Sequence, residues 1–199
     1  MLTEVEWDKK LNIRTQGRDD TGEDAHHFPY EPTPYSVLER LADRGYIEKE
    51  SIVVDYGCGK GRVSFFLNRI VGCETIGVEF NETILRDALE NQRTFTEKKK
   101  VQFFCKDAAE FLVESADCFY FFNPFSVEVL QSVLGRIFDS FYENPRKMTL
   151  FFYYPNDEYV AHLMTTEEMM FVDEIDCQDL FEGRNERERI LIFEVGVDT

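Results

Sequence analysis

The sequence contains no run of the roughly 18 apolar residues that a spanning helix needs, so a membrane-embedded chain is not expected. Basic character is also scarce: 22 Lys and Arg stand against 39 Asp and Glu, a formal net charge of −17. Such an excess repels phosphate backbones and anionic leaflets alike. Nucleic acid is therefore an unlikely partner and a cationic one suits the chain better. No CxxC pair occurs. Cys58, Cys73, Cys105, Cys118 and Cys177 are odd in number and lie mostly in apolar runs, where a thiol packs as a small hydrophobe. Neither a disulfide framework nor a metal site follows from them. The start, Met1-Leu-Thr-Glu-Val-Glu-Trp-Asp, lacks the basic head and apolar centre of a signal peptide, which points to the cytoplasm. There is no Gly/Ser linker, repeat or low-complexity tract, and 199 residues suit one domain.

What is present is alternation. Residues 1–30 are polar and weakly patterned and are expected to form an arm or lid, with a single domain over 31–199. Thr33 is placed to cap a helix with Pro34 at its first position, and Gly45 to end it. Strands are then expected at Ser51–Tyr56, Glu74–Phe80, Val101–Lys106, Cys118–Phe122 and Met148–Tyr154, each followed by a helical stretch. The clearest of these helices follows Ser126, where Val129, Leu130, Val133, Leu134, Ile137, Phe138 and Phe141 keep the 3.6 period. Met170–Ile175 and Ile190–Val195 have no crossover helix between them and should pair antiparallel. The pattern implies an α/β fold, a parallel sheet covered on both faces with an antiparallel closing hairpin.

The strongest local signal is Asp55-Tyr56-Gly57-Cys58-Gly59-Lys60-Gly61 at the end of the first strand. Glycines there let the backbone turn sharply and approach a ligand, with helix amides facing it. The spacing is GxGxG rather than the GxGxxG of dinucleotide sites, and Asp55 lies two residues ahead of the first glycine. A carboxylate in that place suits an ammonium group and repels a pyrophosphate.

This segment resembles the first motif of the class I S-adenosylmethionine-dependent methyltransferases, and further landmarks follow in order. Glu79 ends the second strand 24 residues after Asp55 and resembles the family acid that takes the ribose hydroxyls. Asp107, with Ala108, follows the third strand and resembles the acid that binds the adenine amino group. Phe122-Asn123-Pro124-Phe125 ends the fourth strand and is similar to the NPPY/NPPF motif of amino-methylating enzymes, with one proline instead of two. The resemblance implies a Rossmann-like doubly wound sheet of seven strands, order 3-2-1-4-5-7-6, with strand 7 antiparallel. It implies S-adenosylmethionine as cofactor, held by Asp55, Gly57, Cys58, Gly59, Gly61, Glu79, Asp107, Ala108, Phe122 and Asn123. It also implies Asn123 and Phe125 as catalytic residues facing an acceptor, a protein or small molecule, with an amine such as a protein lysine as one form.

Plainer readings stand beside these. Pro124 turns the chain before the Ser126 cap, Asp107 caps a helix, and His26-His27 are solvated residues of a polar arm rather than a base. Tyr30-Glu31-Pro32-Thr33-Pro34-Tyr35 looks similar to a segment of small protein-lysine methyltransferases that covers the methionine end of the cofactor, and it also serves as a helix entry. A non-catalytic adenosylmethionine-binding adaptor or sensor is the alternative function. Such a protein would keep the glycines and Glu79 without needing an open acceptor pocket at Asn123.

Overall fold

Strand pairing in the structure, a computed structural model that describes residues 2–17, 30–96 and 98–196, turns the expected alternation into one sheet. Its strands are β1 (Ile52–Tyr56), β2 (Glu74–Glu79), β3 (Val101–Cys105), β4 (Cys118–Phe121), β5 (Thr149–Tyr153), β6 (Met169–Asp176) and β7 (Arg189–Val195). The order is β3-β2-β1-β4-β5-β7-β6. β1 to β5 pair in parallel, and β7 runs antiparallel to both β5 and β6. The order and the antiparallel final strand are those expected. From β1 the chain steps outward to β2 and β3, then returns to β4 on the other side. This reversal opens a crevice at the carboxyl ends of β1 and β4, where open α/β sheets bind ligands.

Apolar strand residues divide between two helical layers. Val53, Tyr120, Phe151 and Ile192 face one layer, built on α2 (Tyr35–Asp43) and α3 (Arg62–Ile70). Val54, Phe119, Phe121, Phe152 and Phe193 face the other, built on α5 (Val127–Glu143) and α6 (Asp157–Leu163). β4 and β5 are buried at every residue, which explains why their sequences carry no polar alternation. A further helix, α4 (Glu82–Thr94), is capped by Asn81, whose side chain accepts from the Thr83 and Ile84 amides. The expected helix after the third strand is one 3₁₀ turn, Ala108–Glu110.

The amino-terminal stretch differs from the expected arm over residues 2–17. Glu4–Leu11 is a helix, α1, closed at its start by a capping box between Thr3 and Glu6. Trp7, Leu11 and Ile13 are buried in the α2–α3 layer. The Trp7 ring stacks on Tyr35 at 5.6 Å and meets Phe66 edge-on at 5.0 Å. Residues 12–14 then run along α4: Asn12 donates to Thr94 O, and Asn91 exchanges bonds with the Arg14 backbone. The remainder of the expected arm, His26-His27 included, lies outside the described residues. The Thr33 cap is also corrected. α2 starts at Tyr35 with Pro34 as its N-cap residue, and the Thr33 hydroxyl instead lies 3.1 Å from the Tyr120 hydroxyl.

Candidate functional site

The cleft at the β1–β4 switch is built around the turn from β1 into α3. Gly57 and Cys58 both donate to Val78 O, at 2.8 and 3.1 Å, so the turn is fastened to β2 before it reverses. Two glycines are required there by conformation and by space. Gly57 has φ +72°, and a Cβ would lie 2.4 Å from Pro124 Cβ; Gly59 has φ +54°, and a Cβ would fall 2.1 Å from the Tyr30 ring. Pro124 and Tyr30 therefore close on the turn from opposite elements. Tyr30 is held there by its hydroxyl, which donates to Thr15 O at 2.6 Å.

Glu79, at the end of β2, grips this turn. Its Oε2 accepts from the Gly59 amide at 3.0 Å and its Oε1 from the Asn81 amide at 2.9 Å. One carboxylate thus ties the glycine turn to the start of α4. Asp55 lies beneath the turn with 3% of its surface exposed. Burial pushes its carboxyl up to about 7, with the Ser64 hydroxyl, 3.3 Å away, opposing and Glu79 adding to the rise. No Lys, Arg or His forms an ion pair with Asp55 among the described residues. A buried carboxyl in that state is set to accept a cation.

Of the residues expected to bind or react, Asp55, Gly57, Cys58, Glu79, Ala108, Phe122, Asn123 and Phe125 line the cleft together. Gly59, Gly61 and Asp107 do not. Gly61 is the left-handed N-cap of α3, packed against Phe103 and Phe65. Asp107 spends its Oδ1 on the Ala109 amide at 2.9 Å and so acts as the cap that the plainer reading foresaw. Sequence reading missed Arg62, Tyr120 and Val129 as lining residues. Arg62 adjoins the glycine motif, but its side-chain partners are spread from residue 4 to residue 33 and left no local signal.

The wall of the cleft at the ends of β4 and β5 is held by strained backbone. Asn123 and Tyr154 both adopt left-handed φ, +39° and +52°. The Asn123 amide donates to Tyr154 O, and its Oδ1 accepts from the Asn156 amide at 3.3 Å. Both poles of this side chain therefore join the end of β4 to the loop after β5. Outlying φ values of this kind concentrate where a structure fixes a geometry for function. Phe125 is buried against Phe121, and its carbonyl accepts from the Tyr159 hydroxyl at 2.6 Å. Beyond it, Arg187 stacks on Tyr154 at 4.3 Å, and Asn185 donates to the Tyr154 hydroxyl at 2.8 Å.

Comparison with known proteins agrees with this geometry. A family model described as a methyltransferase domain matches residues 53–143, from β1 through α5. A protein-lysine N-methyltransferase of Saccharolobus islandicus (strain REY15A) is 36% identical over 66 residues, which cover 33% of this chain and 41% of that protein. The match thus spans about two fifths of that relative's length. Among solved structures, an RNA methyltransferase from Salinibacter ruber in complex with S-adenosyl-L-homocysteine superposes with a TM-score of 0.55 and 17% identity, covering 85% of this chain and 96% of that one. Magnesium protoporphyrin IX methyltransferase from Synechocystis PCC 6803 with bound S-adenosylhomocysteine gives a TM-score of 0.58 and 16% identity, over 81% of each chain. At these identities the two structures share a fold with this chain and carry no information on its acceptor.

Proposed function

We propose that this chain, which carries the class I methyltransferase domain, uses S-adenosylmethionine to methylate an amine, with a lysine side chain of a protein as the favoured acceptor. One observation carries the reading: the Glu79 carboxylate, fixed by the Gly59 and Asn81 amides, stands on the cleft wall 24 residues after Asp55. A vicinal diol is the group that a carboxylate in that position holds. The bound cofactor would supply an electrophilic methyl group on a sulfonium. Asp55 would take the cofactor's ammonium, Glu79 its ribose, and Ile84, Ala108 and Val129 offer apolar surface to its base.

The chain's own contribution to rate is alignment and exclusion of water, which for a well-oriented pair is worth about 7–11 kcal/mol of barrier. Phe122, Asn123, Pro124 and Phe125 stand at the carboxyl edge of β4, where an acceptor can approach from outside the sheet. Because both poles of Asn123 are engaged, it acts as a positioning residue: it fixes the Tyr154–Asn156 backbone that borders the approach. An amine acceptor arrives as a cation with a reference pKa of about 10.4, favoured by the net charge of −17. It would give up one proton to solvent, so that its nitrogen lone pair takes the methyl group while S-adenosylhomocysteine leaves as the neutral thioether. The partial likeness to a protein-lysine methyltransferase supports the same acceptor.

The test is incubation of the full chain with methyl-labelled cofactor and lysine-rich, arginine-rich or acidic polypeptides, and with RNA. Label on lysine is expected. Label on RNA alone would replace the acceptor, and cofactor binding without transfer to any acceptor, cell extract included, would favour an adaptor or sensor.

A further inference from the structure

The two edges of the sheet are built differently. β3 closes one side and is flanked by Lys98, Lys99, Lys100 and Lys106, the residue type that discourages further strand pairing. β6 closes the other and contains neither Lys nor Pro. It presents three consecutive apolar residues to solvent instead: Met170, Phe171 and Val172 are 37%, 48% and 42% exposed. The Phe171 ring lies 5.6 Å from Phe193, so it stands on the α5–α6 face of the sheet. The ladder with β7 shifts register between Phe171 and Asp173, which leaves Val172 without an opposite residue. A bulge of this kind re-aims side chains at a sheet edge. Apolar residues exposed singly are ordinary, whereas three in a row on an unpaired strand mark a surface that takes a partner.

Charge gives the chemistry of that partner. Residues 148–183 contain nine Asp and Glu and no Lys or Arg. Two of these acids are neutralised from elsewhere in the fold, Glu174 by Arg189 and Asp179 by Arg40. Glu167, Glu168 and Asp176, on β6 or directly before it, have no Lys or Arg ion-pair partner among the described residues. A second copy of this chain would set the acidic stretch against itself, and like charges across a strand pair are destabilising. An extended segment that alternates apolar and basic residues meets no such conflict. Its backbone can pair with the outer edge of β6, its apolar side chains can cover Phe171 and Val172, and its cations can meet the acids.

Topology brings this edge within reach of the cleft. β7 is antiparallel to both β5 and β6, so β6 runs parallel to β5 and its carboxyl end, at Asp176, lies on the cleft side of the sheet. β6 stands three steps from β4 in the strand order, about 14 Å at the usual spacing between strands. From Phe171 to Asp176 is about 16 Å along the strand. An extended chain covers both legs in about six to ten residues.

We propose that the outer edge of β6 docks an extended, apolar and basic segment of the polypeptide being methylated, by strand addition, and so holds a lysine of that polypeptide at the cleft. The proposal rests on the reading of the cleft as an amine-methylating site and adds how the acceptor is chosen: by a segment removed from its lysine.

The test uses synthetic peptides and the full chain. The probe carries a run of alternating valine and arginine, then a Gly/Ser spacer of about eight residues, then a single lysine. One control has the spacer and lysine alone; a second has the same run sorted into a valine block and an arginine block. Binding of the fluorescently labelled probe is followed by anisotropy, and transfer by methyl-labelled cofactor. The alternating run should bind about tenfold tighter than the sorted one and lower KM for the lysine by a similar factor, with kcat nearly unchanged. Phe171→Lys should remove both advantages and leave KM for the run-less control within about twofold. If Phe171→Lys fails to fold, Val172→Lys, at the bulge, is used with the same expectation. Equal binding of the probe by wild type and variant overturns the proposal, as does equal binding of the alternating and sorted runs. Self-association of the wild type in sedimentation that Phe171→Lys abolishes would replace the assigned occupant with a second copy. Probe binding that depends on Phe171, with label on no lysine, would instead overturn the amine-acceptor reading and leave the docking edge standing.

Discussion

Asp55 carries the clearest consequence at the scale of single residues. Its carboxyl is raised from the usual 3.8 to about 7 by burial, so the folded state holds a proton that the unfolded chain has released. An acid shifted in this direction weakens the fold as pH rises between those two values, and the penalty is complete above about 7. The melting temperature of the wild type, measured against Asp55→Asn, should therefore fall across that window and run level above it. A difference that stays flat from pH 4 to 8 would contradict the buried-acid account. Glu79→Ala should leave a folded protein with S-adenosylhomocysteine affinity lower by about 1.5–3 kcal/mol, roughly one to two decades in Kd, by titration. Unchanged affinity would remove Glu79 from the site. The contact of Gly59 with Tyr30 can be isolated by a double-mutant cycle on melting temperature. Gly59→Ala should cost more with Tyr30 in place than in a Tyr30→Ala background, because only the backbone cost of a left-handed alanine, about 1–2 kcal/mol, persists in the latter.

Among the elements, α1 shows where sequence reading stops. Its sequence, EVEWDKKL, has only three apolar residues, and two of them are buried. Trp7 closes a gap between Tyr35 and Phe66, and Asp8 is buried against residues 15, 35 and 62. Nothing local distinguishes this from a solvated arm, because the burial depends on Arg62 and Tyr35 far along the chain. Trp7→Ala should lower stability to urea by about 3–5 kcal/mol; a loss below 1 kcal/mol would fit a detachable arm instead. The helix α5, by contrast, was legible from Leu130, Val133, Leu134 and Ile137, whose periodic burial is local information. The glycine turn was legible in the same way, since GxGxG between a strand and a helix states its own conformation. The commitment of Asn123 to Tyr154 and Asn156 was not, because it joins two loops 31 and 33 residues apart. Asn123→Ala should accordingly lower both kcat and melting temperature while sparing S-adenosylhomocysteine affinity, since it frees the loop after β5 and replaces a side chain that tolerates positive φ better than alanine does. Affinity falling in step with kcat would move Asn123 into the cofactor site.

For the whole molecule, charge and strand order matter most. The net charge of −17 predicts that kcat/KM on a lysine-rich polypeptide declines as salt is raised from about 50 to 300 mM, while an uncharged amine acceptor is much less affected. Identical salt curves would mean that the surface field plays no part in capture. The strand order bears on synthesis. β7 lies between β5 and β6, so β6 has its ladder partner only after residues 189–195 have been made. Until then Met170, Phe171 and Val172, which remain exposed in the finished fold, sit on a strand with nothing beside it. On the ribosome, the first five strands can assemble in order, but the sixth must wait for the seventh. In that interval both edges of β6 are open to a chaperone or to a neighbouring nascent chain, whereas in the finished sheet β7 covers one of them and only the outer edge stays unpaired.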